Sequence, residues 1–342
     1  MKKDRIDFYK EIEKSRNSKL IIYITGDRPG LETQIHPEIL EYFVDHLDSL
    51  GNNKVEKISL FLYTRGGSTL AAWSLVNLLR QFCKELEVII PSKAQSAGTL
   101  IAIGADKVVM TKQAILGPID PSVNGPLNPQ NPAFPNNLQA RLPVSVESIN
   151  AYFQLASEDV KVNKSSDLVN VFTNLANQVH PLVLGDVYRT RTQIQMLARK
   201  LLNRTIKNSK EVERIISFLT SGSGSHDYTI YRSEAKDELG LKIEKPNDTL
   251  YKVIKKIYDD ISEELELRKR YDPNMIIGTN STAPYEFRRT LIESLHGGTD
   301  VLISKGILTK RIQTIQQPPP FPPIDRTVVE DNRTFEGWQH EV

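Results

Sequence analysis

Ser96 lies in a stretch of small residues where a predicted strand gives way to a predicted helix. The apolar run 87–91 has the length and β-branched content of a buried strand, and residues 100–105 are small and apolar enough for a packed helix. A hydroxyl at such a turn can be aimed at a substrate. The amide after it lies at a helix N-terminus, where N–H groups are unpaired and negative charge is favoured. The alternative interpretation is a plain helix cap at Ser96.

A pair of glycines, Gly66 and Gly67, follows the preceding predicted strand, residues 58–63. No Gly-x-Gly-x-x-Gly or Gly-Lys-Ser/Thr spacing surrounds them, so nucleotide binding has weak support. In parallel α/β sheets ligands bind beyond the carboxyl ends of the strands, where both the glycine pair and Ser96 stand. Amides from two such turns near one hydroxyl are what acyl transfer needs to stabilise an oxyanion. A tight turn without chemistry is the alternative.

A serine nucleophile needs a general base, and several residues qualify. His226 and Asp227 follow a Gly/Ser-rich loop. Asp120, which precedes a proline, can act on a water, orient a base or simply form a turn. His180 is a further candidate, although a histidine at a helix break is usually structural. Lys112 would serve in a Ser–Lys dyad only if it were desolvated.

Metal and cofactor chemistry are not indicated. The six histidines are scattered, and neither a His-Glu-x-x-His motif nor paired cysteines occur. We therefore expect no metal site and no cofactor.

Length, composition and charge limit which classes of protein this chain can belong to. The chain has 342 residues, enough for one large domain or a domain with additions, and 39% of them are hydrophobic. Its net charge is +2, which gives no argument for a nucleic acid or an anionic membrane as partner. A single cysteine, Cys83, excludes an internal disulfide and agrees with a reducing compartment. No apolar run approaches the ~20 residues of a membrane span, and no signal sequence is recognisable, so we expect a soluble cytoplasmic protein.

Strands alternate with helices through the first third of the chain, which predicts βαβ units and a largely parallel sheet. A Pro- and Asn-rich stretch, 124–143, must be an irregular excursion. We predict strands at 20–24, 58–63, 88–90, 107–110 and 301–304, and helices at 6–17, 39–50, 69–84, 100–105, 146–162, 167–184, 187–202, 210–219, 248–267 and 285–295. The proline run 318–323 predicts polyproline II structure.

The order of these motifs resembles that of proteins with the ClpP/crotonase fold. The order is strand, Thr64-Arg65-Gly66-Gly67, helix, strand, Ala94-Gln95-Ser96-Ala97-Gly98-Thr99, helix, strand and Gly117-Pro118-Ile119-Asp120-Pro121. Within that superfamily the chain resembles the serine dehydrogenase proteinase family, near the signal-peptide-peptidase A type enzymes, over roughly residues 18–245. Further resembling segments are His180-Pro181-Leu182-Val183-Leu184-Gly185, Ser225-His226-Asp227-Tyr228, Glu234-Ala235 and Leu239-Gly240-Leu241.

The resemblance implies an α/β fold of repeated ββα units around a parallel sheet, with helical C-terminal additions. It implies Ser96 as nucleophile and the amides of Gly66 and Ala97, with Gly67 beside them, as the oxyanion hole. It further implies an ATP-independent endopeptidase that acts on peptides or proteins and assembles into dimers, trimers or larger homo-oligomers.

The catalytic pattern of Clp peptidases does not transfer intact. Where they carry a histidine, about 25 residues after the serine, this chain has Asp120, and their third catalytic residue aligns with Asp227. Three bases remain open: His226 oriented by Asp120 or Asp227, a lysine, or a residue of a neighbouring chain. Two other functions also remain, a crotonase-like acyl-CoA enzyme that uses Asp120 and a non-catalytic interaction protein.

The domain organisation follows from these segments. We predict an N-terminal helix at 1–17, the peptidase-like domain at 18–245, a helical extension at 246–317 and a Pro-rich tail at 318–342.

Overall fold

The computed structural model describes residues 3–51, 53–120, 122–222, 224–315, 317 and 321–341. Its strands are β1 (Lys19–Thr25), β2 (Val55–Tyr63), β3 (Cys83–Ile90), β4 (Lys93–Ala94), β5 (Lys107–Met110), β6 (Ile115–Leu116), β7 (Ser122–Val123), β8 (Val144–Ser145), β9 (Ile230–Tyr231), β10 (Ile243–Glu244), β11 (Thr282–Ser294), β12 (Gly298–Ile315) and β13 (Ile324–Glu341).

The helices are α1 (Lys3–Arg16), α2 (Ile39–Asp48), α3 (Thr69–Phe82), α4 (Ala97–Ile103), α5 (Val146–Gln154), α6 (Ser165–Gln178), α7 (Pro181–Leu202), α8 (Ser209–Ser217), α9 (Asp248–Glu264) and α10 (Pro273–Ile277). Wider π-helical turns span Leu155–Asp159, Phe218–Gly222 and Glu234–Glu238.

The framework is an eight-stranded sheet in the order β10-β5-β3-β2-β1-β11-β12-β13. The strands from β10 to β1 run parallel, as the alternation of strands and helices predicts, whereas β11, β12 and β13 add an antiparallel half. The mixed α/β fold with a parallel core is thus confirmed. Smaller ladders, β4-β6-β9 and β7-β8, lie beyond the main sheet.

Helices cover both faces of the sheet because successive strand residues point to opposite sides. In β1, Ile21 and Tyr23 join the core formed with α2, α3, α4, α7 and α8. Their neighbours Ile22 and Ile24 join the core formed with α1 and α9. Strands buried on both faces read as continuous apolar runs, which is why the sequence identifies them so readily.

The C-terminal third departs from the sequence predictions. The helix expected at 285–295 is instead part of strand β11, which pairs with β1 from Ile21↔Ser294 to Thr25↔Thr290. Among the described residues of the extension, only α9 and α10 are helical, and the strand expected at 301–304 is part of the 18-residue β12. Apolar spacing in short runs fits either structure, and long-range pairing decides between them.

Most of the predicted tail, too, is sheet. Strand β13 pairs with β12 along its length. The polyproline prediction falls partly outside the described residues, because Pro318, Pro319 and Pro320 are among those that the structure does not describe.

A buried polar cluster fastens the antiparallel strands to α2. His46 is fully buried; its Nδ1 lies 2.7 Å from Ser294 Oγ and its Nε2 3.1 Å from Asp300 Oδ2. His340 Nδ1 lies 3.0 Å from the other oxygen of Asp300 and thereby ties β13 to the cluster. The Ser–His–Asp arrangement has no access for a substrate because Ser294 is 1% exposed.

Two further features bear on the class of protein. Within the described ranges, no helix is both long and apolar enough to cross a bilayer. Cys83 is buried, and burial raises the pKa of its thiol to about 11, which favours packing over reactivity.

Candidate active site

The backbone of Ser96 has an uncommon conformation, φ 52° and ψ −115°. A side chain at positive φ is strained, and such strain concentrates at functional sites. Ser96 occupies the N-cap position of α4, yet its side chain makes no capping hydrogen bond. Ser96 Oγ forms no hydrogen bond with any described residue, and the side chain is half-buried. The alternative interpretation as a simple cap therefore lacks the bond that defines a cap.

The glycine turn after β2 lies directly against Ser96. A Cβ added at Gly66 would stand 2.8 Å from Ser96 Cβ and 3.3 Å from the Ala97 nitrogen, so a side chain at Gly66 would collide with the serine. Gly66 also has φ 111°, a conformation that favours glycine. The next residue, Gly67, packs equally closely on the backbone of Ile35. The structure thus brings together the two turns that the sequence singled out.

The amides at these turns are not equivalent. The Gly66 N–H donates to Thr64 Oγ1 at 3.0 Å, so it is already engaged. Among the described residues, the amides of Gly67 and Ala97 donate to no acceptor. Of the three amides predicted for the oxyanion hole, Gly67 and Ala97 are the ones left available for a ligand.

His226 pairs with Asp120 across 106 residues of sequence. Its Nδ1 lies 2.9 Å from Asp120 Oδ1, the carboxylate is 5% exposed and the imidazole is 54% exposed. Hydrogen bonding to Asp120 raises the pKa of His226 above its ordinary value, against the opposing effect of burial. With Nδ1 protonated toward Asp120, Nε2 remains free to accept a proton.

A second carboxyl lies close to this pair. Burial raises the pKa of Glu147, and the nearby charge of Asp120 adds to the effect while Arg191 opposes it. Glu147 of α5 thus lies within electrostatic range of Asp120, and Arg191 of α7 lies within range of Glu147.

A threonine hydroxyl joins the Ser96 turn to the segment that carries Asp120. Thr99, three residues after Ser96, is fully buried, and its Oγ1 accepts from the Gly117 N–H at 3.1 Å. The same oxygen lies 2.7 Å from the Gly117 carbonyl. Three residues span at most about 11 Å, so Asp120 is held near the serine within one chain.

The remaining candidate bases lie elsewhere or serve local structure. Lys112 is exposed, and its ammonium stands over Tyr251 of α9, on the sheet face opposite α4. His180 is exposed and caps α7, accepting the Leu182 N–H at 3.2 Å. Asp227 is exposed, and its charge contributes to the raised pKa of His226. No hydrogen bond joins Ser96 to His226 in the described part of the chain.

No metal site is apparent in the residues that the structure describes, where no group of three or more His, Cys, Asp or Glu is placed to hold an ion.

Sequence reasoning missed the threonines at positions 25, 64 and 99, whose hydroxyls hydrogen-bond within and between the turns. The only available signal was a threonine beside each turn.

Comparisons with known proteins bear on the family. Residues 47–133 match a family described as ClpP-like SDH-type serine proteinase. Two uncharacterized proteins of Methanocaldococcus jannaschii, MJ0137 and MJ1495, are 32% identical over 192 residues and 30% identical over 187 residues. The matches cover 56% and 54% of this chain and 54% and 51% of the relatives, so the chain spans about half the length of these curated relatives.

Solved structures to which this chain is similar include ClpP1 from Listeria monocytogenes, at 16% identity and a TM-score of 0.36, covering 70% of this chain and 99% of that one. A mutant of the 1510-N membrane-bound stomatin-specific protease in complex with a substrate peptide has 14% identity and a TM-score of 0.38, covering 63% and 73%. The resemblance drawn from the motifs is confirmed over residues 47–133, which carry Gly66, Ser96 and Asp120 and match the ClpP-like SDH-type serine proteinase family.

Proposed function

We propose that this chain is an ATP-independent serine endopeptidase that cleaves peptide bonds by acyl transfer through Ser96. The observation that carries the proposal is the close contact between Gly66 and the strained Ser96 turn. Acyl transfer requires oxyanion donors close to a nucleophilic hydroxyl, and the nearness of a glycine turn to a serine at a helix N-terminus supports such an arrangement. The match to a serine proteinase family supports a peptidase-like role.

The oxyanion hole in this proposal consists of the Gly67 and Ala97 amides. Both N–H groups lack an acceptor within the described residues, whereas the Gly66 N–H is bound to Thr64. Removal of one oxyanion donor typically lowers kcat about 10²–10³-fold. Gly66 then serves by allowing the close approach of the two turns.

His226 is the general base, and Asp120 orients it. Nε2 takes the proton of Ser96 Oγ as the serine attacks the peptide carbonyl and returns it to the leaving amine. In free enzymes such bonds are often long and close only when substrate binds, and His226 stands on an exposed Gly/Ser-rich loop. The Asp120 carboxylate is already hydrogen-bonded to His226, which argues against Asp120 as the sole catalytic carboxylate of an acyl-CoA enzyme.

A fluorophosphonate probe tests the nucleophile. It should label the wild-type chain and fail on Ser96→Ala, and equal labelling of both would refute the assignment. His226→Ala should lower the acylation rate by orders of magnitude, while the matched change at an exposed capping histidine, His180→Ala, should leave it unchanged. Peptide cleavage should not change when Mg·ATP is added, and stimulation would contradict the ATP independence.

The source of the base can be tested by mixing variants. We place His226 and Ser96 in one chain because Thr99 fixes the Asp120 segment beside the serine. A mixture of Ser96→Ala and His226→Ala chains should then remain inactive. Recovery of activity on mixing would show that a neighbouring chain supplies the histidine.

We also propose that the chain forms a homo-oligomer through the region between residues 127 and 188. Helix α6 has no buried side chain. Large exposed apolar side chains concentrate in this region: Leu127, Phe134, Leu138, Leu142, Tyr152, Leu155, Val160, Val169, Phe172, Leu182 and Tyr188. Contiguous exposed apolar patches mark interaction surfaces, and in this proposal these side chains form one. Light scattering should show a smaller species for Phe172→Asp but not for Met275→Asp, a change at an 80% exposed residue of α10.

A further inference from the structure

We propose that the hydroxyl of Thr64 is a positioning group that holds the Gly66–Gly67 turn against Ser96, and that Thr25 fixes this hydroxyl. The inference rests on the proposed peptidase function, because the position that matters is that of the Gly67 amide. It assigns a role to two buried side chains that touch neither the nucleophile's oxygen nor the base.

Thr64 contacts the nucleophile turn from both sides of Ser96. Its backbone N–H donates to the Lys93 carbonyl at 3.1 Å, and its carbonyl accepts the Gln95 N–H at 3.1 Å. Its methyl group packs on α4, where a Cβ added at Gly98 would lie 2.5 Å from Thr64 Cγ2. The end of β2 is thereby joined to the residues before and after Ser96.

The hydroxyl of Thr64 also connects the end of β2 to the glycine turn. Thr64 Oγ1 accepts the Gly66 N–H at 3.0 Å and the Thr25 O–H at 2.9 Å, and it lies 3.4 Å from the Gly66 carbonyl. Both threonines are 0% exposed, so these bonds are shielded from bulk water. A buried N–H that loses its acceptor is costly, so the turn must shift when the hydroxyl is removed.

Two consecutive glycines with φ 111° and 139° have little intrinsic preference for this conformation. The Gly66 carbonyl, which shares a peptide group with the Gly67 N–H, accepts the Ile35 N–H at 2.8 Å. The bond from the Gly66 N–H to Thr64 fixes the other side of the same residue, so the two bonds together set where the Gly67 N–H points. A misplacement of about 1 Å at a reacting group can lower the rate about 10²-fold. Loss of the hydroxyl should therefore act on kcat, with little change in KM because Thr64 does not reach the surface.

Thr64→Val is the primary test, since valine keeps the methyl that packs on Gly98 and replaces only the hydroxyl, by a second methyl group. We expect kcat and the rate of fluorophosphonate labelling to fall about 10- to 100-fold, with KM within about twofold and an unchanged pH profile. Thr64→Ser should recover most of the loss. Thr25→Val should give a smaller loss, and the double variant should be less impaired than the product of the two single effects.

Thr290→Val is the matched control. Thr290 lies opposite Thr25 in the β1–β11 pair, is 2% exposed and donates to Thr33 Oγ1 at 2.7 Å, so it too loses a buried Thr–Thr bond. Among the described residues, its hydroxyl bonds neither Thr64 nor the glycine turn. The Thr290→Val variant should lose about as much thermal stability as Thr25→Val, while its kcat should be unchanged. If Thr64→Val labels as fast as wild type, or if Thr290→Val slows labelling equally, the positioning role is wrong.

Hydrogen exchange separates this inference from the peptidase function. The Gly66 amide should be protected in wild type and in Ser96→Ala, and should exchange faster in Thr64→Val and Thr25→Val. This readout needs no activity, so it holds even if the probe fails to label Ser96. A Gly66 amide that is as protected in Thr64→Val as in wild type would overturn the proposal. If Thr64→Val does not fold, the protection of the same amide in Thr25→Val decides the question in the same way.

Discussion

The strained backbone of Ser96 predicts an unusual stability order for its variants. A side chain held in a sparsely populated conformation costs about 1–3 kcal/mol, and Ser96 has φ 52°. Glycine removes this cost, but it raises the conformational entropy of the unfolded chain, which lowers the free energy of unfolding by about 0.4–1 kcal/mol. Ser96→Gly should therefore be more stable than Ser96→Ala by about 0.5–2 kcal/mol.

The alanine variant is a suitable reference because the Ser96 hydroxyl makes no hydrogen bond with any residue that the structure describes. Ser96→Ala should lie within about 0.5 kcal/mol of wild type. Urea denaturation followed by circular dichroism measures both differences, and neither variant should be labelled by a fluorophosphonate. The loss of labelling could then not be attributed to unfolding, since Ser96→Gly is expected to be at least as stable as wild type.

Ser233 provides the control. It has ordinary helical angles, φ −62° and ψ −51°, and its side chain makes no capping bond. There glycine should be less stable than alanine by about 0.5–1 kcal/mol, the usual order. If Ser96→Gly is also less stable than Ser96→Ala, the turn is not strained in solution and the reasoning fails.

Three further predictions follow from contacts in the structure. Gly66→Ala should destabilise the chain by at least about 2 kcal/mol more than Gly51→Ala in urea denaturation, because both have positive φ but only Gly66 lacks space for a Cβ. Asp120→Asn should lower the pKa of His226, so the acid limb of kcat/KM moves to lower pH while its maximum falls. Asp300→Ala should cost about 2–4 kcal/mol in denaturation, because it leaves a fully buried histidine without its acceptor.

The sign of the Asp120 effect on stability follows from the raised pKa of His226. Stability from this pair is fully present below the ordinary histidine pKa of about 6.5 and is lost as pH rises through the raised value. Asp120→Asn should therefore destabilise the chain more at pH 5 than at pH 8, by a modest amount because the imidazole is half-exposed. An acid limb that moves to higher pH would contradict the pairing, and an Asp300→Ala variant no less stable than His340→Ala would contradict the buried cluster.

Several features of the molecule could be predicted from local sequence. Strands β1, β2, β3 and β5 are short, apolar and β-branched, and turn residues bound them, so their type and parallel order follow from periodicity. The glycine pair and Ser96 come directly after strands, so their place at the carboxyl edge of the sheet follows as well. These predictions hold because each depends on a few adjacent residues.

Tertiary structure alone decided the features that depend on distant partners. The segment 285–295 reads as a helix by spacing, yet it pairs with β1 because the sheet has an open edge there. Asp120 rather than Asp227 bonds His226, because the fold brings the buried Asp120 carboxylate within 2.9 Å of the imidazole Nδ1. The Gly66 amide, which the motif would assign to the oxyanion, is taken by the hydroxyl of Thr64. Which donor meets which acceptor is set by long-range packing, and sequence spacing does not encode it.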